Sequence, residues 1–133
     1  MRRQSREIAL QILFQTEFAP QISFADLFSI HGQKQEAEVI SYADEIVRGV
    51  LLHKENIDKK IGEASRHWKI DRMGGVDRGL LRLAVFEIFH AKDMIDAKIA
   101  INEAIELAKV FGSQESPAFV NGILDQVVRN ERR

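Results

Sequence analysis

The chain of 133 residues has no cysteine. That removes disulfides, thiolate chemistry and cysteine-ligated zinc in one step and fits a reducing compartment. Proline occurs twice and glycine eight times. No segment is rich enough in Pro, Gly or Ser to read as a flexible linker, and no repeat or low-complexity run is present. No apolar run approaches the roughly 18 residues that a membrane-spanning helix needs. The densest, Leu80 to Phe89, is broken by Arg82 and Glu87. The start carries Arg2 and Arg3 but no continuous apolar stretch of the signal-peptide kind, so a soluble cytoplasmic protein is expected. Net charge is also scarce, 19 cationic against 20 acidic residues for a balance of -1. A nucleic-acid surface on such a chain must be a local patch.

Catalytic signatures are missing too. His31, His53, His67 and His90 are far apart, and none has a second ligand at i+3 or i+4 spacing, so solvated or capped histidines are expected rather than a metal site. Gly74-Gly75 is followed by Val76-Asp77 instead of a Lys-Ser/Thr pair, which excludes a phosphate loop. No serine lies in a nucleophile-elbow pattern. Glu103 and Glu106 share a helix turn, but acids paired with Lys109 or Lys98 are a better reading than a general acid/base pair. No catalytic constellation and no cofactor are implied.

What remains is 45% hydrophobic and 29% charged, the composition of one ordered globular domain. Apolar residues recur at helical spacing almost throughout, with no sustained alternation. The spacing predicts an all-α chain of about seven helices: Gln4–Phe18, ended by Pro20; Ser23–His31, followed by Gly32; Lys34–His53; Glu55–Arg66; a fifth from Gly74-Gly75 to His90; and two more across Ile99–Gly122 and beyond. The fifth is apolar on nearly every side (Leu80, Leu81, Leu83, Ala84, Val85, Phe86, Ile88, Phe89), which places it centrally. Gly74-Gly75 is the candidate hinge between an N-terminal bundle (about 1–73) and a C-terminal one (about 74–133). In the sixth helix Ile101, Ala104, Ile105, Ala108 and Phe111 face inward. Gly112 is suited to the left-handed position past its end. Ser116 is suited to cap the seventh, with Pro117 at the first helical position and Phe119, Val120, Ile123, Leu124 and Val127 as the core stripe.

The first helix divides into two faces. Ile8, Ala9, Ile12, Leu13 and Thr16 form the core face. Arg3, Arg6, Glu7, Leu10, Gln11, Phe14 and Phe18 gather opposite. Cations at a helix start oppose the macrodipole, and Arg2 and Arg6 repel at i,i+4 spacing, so local stability does not explain them. A bound polyanion would, with Phe14 as a stacking platform for single-stranded RNA. The alternatives are a solvated terminus, an Arg3–Glu7 pair, and packing roles for Phe14 and Phe18. A second basic cluster, Arg129, Arg132 and Arg133, suits a helix C-terminus and reads as a solvated tail.

Several blocks resemble the NusB family of bacterial antitermination factors. These are Arg2-Arg3, Ser5-Arg6-Glu7 and Ala9-Leu10-Gln11; Asp77-Arg78, Leu81-Arg82 and Glu87; Ala100 through Lys109; Phe111-Gly112; and Phe119 through Asp125. The resemblance implies an all-helical fold of two packed bundles and a non-enzymatic RNA-binding role. It implies boxA RNA held jointly with NusE, a small-subunit ribosomal protein, in an assembly on RNA polymerase that suppresses termination, notably on ribosomal RNA operons. It assigns RNA contact to Arg2, Arg3, Arg6, Gln11, Phe14, Ser116 and Phe119, and NusE contact to Asp71 and Asp77. Asp77 equally suits the first turn of a helix. Asn102, Glu103, Asn121 and Asp125 belong to the signature, with polar packing between helices as their expected role. The family's usual Asp-x-Pro entry to the sixth helix is here Met94-Ile95-Asp96, and Asp96 is expected to cap instead. Rival readings are a helical interaction module working as a homodimer and a role in ribosome maturation. A methyltransferase is not expected, since no cofactor-binding domain follows. Three arginines would give a salt slope near -2, hence weak RNA binding alone. Arg3→Ala with Arg6→Ala is expected to weaken it without lowering the melting temperature.

Overall fold

A computed structural model describes residues 2–66 and 68–131. His67, Arg132 and Arg133 lie outside the described residues. The described chain forms seven α-helices and no strand: α1 (Arg2–Phe18), α2 (Phe24–His31), α3 (Ala37–Leu52), α4 (Lys54–Ala64), α5 (Gly75–Phe89), α6 (Ala97–Phe111) and α7 (Ser116–Glu131). One 3₁₀ turn, Ile70–Arg72, stands between α4 and α5.

Local signals set most of these bounds. Ser23 accepts from the Asp26 amide at 3.2 Å and starts α2, satisfying one of the orphan donors of a helix start. Asp96 does the same for α6, accepting from the Lys98 amide at 2.9 Å, so the cap survives without the proline. α3 begins at Ala37 rather than Lys34, because Lys34 takes a left-handed conformation (φ 65°) that a right-handed helix cannot include.

α5 packs against α1, α3, α4, α6 and α7. Leu80, Leu81, Leu83, Ala84 and Val85 are almost completely buried, as its all-round apolar pattern predicts. Its approach to α3 depends on Gly49, since a Cβ there would enter the Phe86 ring. α2 and α3 pack on α1, α1 and α3 pack on α5, and α6 and α7 pair with each other and also pack on α5. α4 reaches across to α7, so contacts on either side of Gly74-Gly75 interleave around one continuous core.

Gly122, in the middle of α7, has no such reason. A Cβ there would meet nothing within 4 Å. Gly costs up to about 1 kcal/mol relative to Ala inside a helix. Gly122→Ala is therefore expected to raise the melting temperature by roughly 3 °C, as followed by circular dichroism.

Candidate nucleic-acid interface

α1 does not have the two faces that its spacing suggested. Ser5, Arg6 and Leu10 are buried along with Ile8, Ala9, Ile12 and Leu13, because α3 and α5 both pack on this helix. Arg6 is only 3% exposed and Glu87 is 0%. Arg6 Nε donates to both Glu87 carboxylate oxygens, at 2.8 and 3.0 Å, and Nη1 reaches Glu103 at 3.2 Å. The Tyr42 hydroxyl donates to Glu87 as well. Burial, followed by that carboxylate, pushes the Tyr42 phenol well above its ordinary range. The assignment of Arg6 to RNA contact is corrected here. Its guanidinium is held in the interior by acids from α5 and α6.

Arg3 is exposed and pairs not with Glu7 but with Glu103, Nη2 to Oε2 at 2.6 Å and Nε to Oε1 at 3.2 Å. Arg2 lies 4.3 Å above the Tyr42 ring centre, a cation–π contact. Both guanidinium groups remain at the surface. Gln11 is half-buried further along α1. Arg3 and Phe14 are eleven residues apart, so they share a face about 16 Å in length.

Phe14 is half-buried, tilted against Phe18 with ring centres 4.8 Å apart. Its ring lies over Gly75, where a Cβ would come within 2.8 Å of it. Phe14 and Gly75 line a shallow depression with Asp77, Phe111 and Ser116. The last turns of α1, the start of α5 and the α6–α7 connection thus meet at one place. Asp77 Oδ1 is buried there with no hydrogen-bond partner among the described residues, an arrangement that costs free energy unless something supplies a donor.

Ser116 lies at this depression but is 2% exposed. Its hydroxyl accepts from the Ser113 amide at 2.9 Å, bracing the α6–α7 turn. α7 begins at Ser116 itself, with Glu115 C=O accepting from the Phe119 amide, so the expected N-cap and the assignment of Ser116 to direct RNA contact are both corrected. Gly112 is not left-handed either (φ -96°, ψ -170°). It is needed because a Cβ would come within 2.6 Å of the Ser116 Cβ. Phe119, one turn into α7, is half-buried and meets Trp68 edge to face, ring centres 6.0 Å apart.

Asp71 is exposed on the 3₁₀ turn and lines a different groove, with Lys54, Asp58 and Arg66. The structure does not bring Asp71 and Asp77 to one depression. Between them Arg78 donates to the Ile70 and Met73 carbonyls at 3.1 and 2.7 Å and also pairs with Glu17. Arg82 bridges Asp58 and Glu17. These clamps fasten the 3₁₀ turn and α4 to α1 and α5. Glu106 pairs with Lys109 as expected, whereas Glu103 pairs with α1. His53 and His90 stack, ring centres 4.2 Å apart, despite their distance in sequence. No metal-holding group of three acids or histidines occurs among the described residues.

Glu103 is held below the ordinary carboxylate range, chiefly by the Arg3 hydrogen bond, with burial opposing and the charges of Arg3 and Arg6 assisting. Glu17 is lowered in the same way, first by Arg78. A carboxyl more acidic in the folded state stabilises fully above its unfolded value and loses that contribution as pH falls through the folded one. The steepest loss of melting temperature is therefore expected below about pH 4.5, the ordinary value for both. Glu17→Gln and Glu103→Gln should each flatten that limb of a melting-temperature profile.

The fold and surface define an all-helical domain with a basic and aromatic face on its first helix, adjoining a depression that contains an unsatisfied acid. The NusB family profile matches residues 3–129. The chain is 56% identical over 126 residues to the transcription antitermination protein NusB of Bdellovibrio bacteriovorus, covering 95% of this chain and 93% of that protein. It is 44% identical over 131 residues to the one from Myxococcus xanthus, with 95% and 93% covered. The structure of T. maritima NusB superposes with a TM-score of 0.85 at 33% identity, covering 97% of this chain and 91% of that one. A chain from a crystal structure of the antitermination factors NusB and NusE with double-stranded RNA superposes at 0.80 and 25% identity, with 97% and 96% covered. The chain belongs to the NusB family.

Proposed function

We propose that the chain acts in transcription antitermination, holding boxA-like RNA together with NusE in the cytoplasm, on RNA polymerase and notably on ribosomal RNA operons. The observation that carries this reading is the meeting of Phe14 with the unpartnered Oδ1 of Asp77 in one depression, at the end of a helix whose exposed start presents Arg2 and Arg3. A charged face leads into a site that lacks a hydrogen-bond donor. Such a site fits a protein partner beside a bound polyanion. The relative solved with NusE and RNA has the same fold over nearly its whole length. Arg2, Arg3, Gln11, Phe14 and Phe119 would face RNA, and Asp77 would face NusE. Arg6 would act by fixing α1 rather than by touching phosphate. No catalysis is expected.

A boxA RNA titration, read by fluorescence anisotropy with and without NusE, tests this reading. Binding by the chain alone should be weak and salt-sensitive, and NusE should tighten it by at least tenfold. An affinity unchanged by NusE would sink the joint mechanism. No helix among the described residues is long and apolar enough to cross a membrane.

A further inference from the structure

Trp68 stands in the connection between α4 and α5, 57% exposed. Its backbone is nonetheless fixed. The Trp68 amide donates to the Ser65 carbonyl at 2.8 Å, and the hydroxyl of buried Ser65 lies 3.0 Å from the Trp68 carbonyl. A large apolar ring is thus held out into water on a rigid support, an arrangement that packing within the chain does not require. Trp68 and Phe119 are perpendicular. Two perpendicular rings make a corner rather than a stack, and a third ring can lie flat on the face of either. The corner opens into a cleft of about 500 Å³, within the size range of small-ligand sites. Its floor is Gly122, where the α7 backbone is bare and a Cβ would meet nothing. Among the described residues no carboxylate lines the cleft, and Arg66 does. Lys69 adjoins on the other side of Trp68. Neither cation has an ion-pair partner among the described residues.

Resting on the RNA-binding reading above, we infer that Trp68 and Phe119, with Arg66 and Lys69, form a base-stacking subsite for the same single-stranded RNA. Stacking platforms flanked by cations hold single strands without needing a particular base, because every base has a π-face. Arg66 is the one charged side chain lining this cleft among the described residues, which suits a bound anion, while Glu17, Asp58 and Asp71 lie in the adjoining groove that Arg66 and Lys69 also line. The subsite extends the RNA path from α1, past the depression at Phe14 and along the first turns of α7. Bare backbone at Gly122 lets a base plane approach the helix closely.

Trp68 is the chain's one tryptophan, so its fluorescence reports this place alone. A single-stranded boxA oligonucleotide, end-labelled for anisotropy, is titrated into the full chain, and the tryptophan emission is read in parallel. Emission should fall with the same midpoint as the anisotropy rise. Trp68→Ala should weaken binding on the order of tenfold, while Trp68→Phe, which keeps a ring face, should stay within about threefold. Gly122→Leu fills the cleft with a better helix former. It should weaken RNA binding while the melting temperature holds or rises, which keeps the test decisive even if Trp68→Ala unfolds. Unchanged emission at RNA saturation, or wild-type affinity in Gly122→Leu, overturns the subsite and leaves the RNA-binding reading standing. Emission that changes with protein concentration alone, with RNA affinity untouched by the variants, also overturns it and assigns the cleft to self-association. No anisotropy change for the unaltered chain, with or without NusE, fails the underlying reading and the subsite with it.

Discussion

Glu87→Ala is expected to destabilise the fold by about 3–5 kcal/mol, because it leaves the Arg6 guanidinium buried without its carboxylate. Domains of this kind have only about 5–15 kcal/mol in all. The melting temperature should therefore drop by roughly 10–20 °C. The loss has two parts. Arg6 loses both bonds from Nε and keeps only the Glu103 contact. The Tyr42 hydroxyl loses its acceptor in the same step. Arg6→Ala should act in the same direction, since it strands the fully buried Glu87 instead. This replaces the expectation that removing Arg6 leaves melting untouched. The double variant Arg6→Met/Glu87→Leu should recover much of the loss, since apolar replacement of both partners removes the stranded charge. Thermal melts of the four proteins decide it. A Glu87→Ala melt within about 3 °C of the parent would mean that the network is not what secures α1.

The second large effect is on RNA. With Arg6 withdrawn from the surface, two arginines remain at the start of α1, and their share of the salt slope should be about -1.4 rather than -2. That share alone should weaken binding roughly sevenfold when salt is raised from about 50 to 200 mM. Arg2→Ala/Arg3→Ala should remove that part of the slope, leaving what Arg66 and Lys69 supply, and lower affinity at low salt by on the order of tenfold. Its melting temperature should move little, because exposed pairs such as Arg3–Glu103 are worth at most about 1 kcal/mol. Glu103→Gln acts oppositely. The Glu103 carboxylate occupies the fork of Arg3 that a phosphate would take, so neutralising it should raise RNA affinity a few-fold. A double-arginine variant with the parent's slope would place phosphate contact elsewhere.

Helix identity was readable from the sequence because it depends on spacing and caps, which are local. Asp96 shows this, and so does the all-round apolar pattern that put α5 at the centre. The polarity of α1 was not readable, for a physical reason. A helical wheel assigns Arg6 to the outer face, but its partners lie 81 and 97 positions away. Nothing near residue 6 signals that two acids will close over it. Leu10 was misplaced for the same reason, since α1 is packed on more than one side. Gly112 and Ser116 carried the residue types of a left-handed stop and a cap, yet they serve close packing of the α6–α7 turn. A glycine and a serine satisfy either requirement. Asp77 was legible as a first-turn acid, but its unsatisfied oxygen was not, because that depends on what surrounds it. Trp68 was missed altogether. It lies between helices where no periodicity speaks, and only its large size in a short connection could have drawn notice.

The reach of Arg6 also sets an order of events during synthesis. Chains emerge from the N-terminus at about 5–20 residues per second. Arg6 therefore precedes Glu103, 97 positions later, by on the order of 5–20 seconds. Glu87, 81 positions after Arg6, emerges shortly before Glu103, and until it does α1 carries its arginines with neither acid available. The helix that begins the proposed RNA surface is made first and locked late, and a nascent chain that ends before Glu87 has no carboxylate for its buried guanidinium.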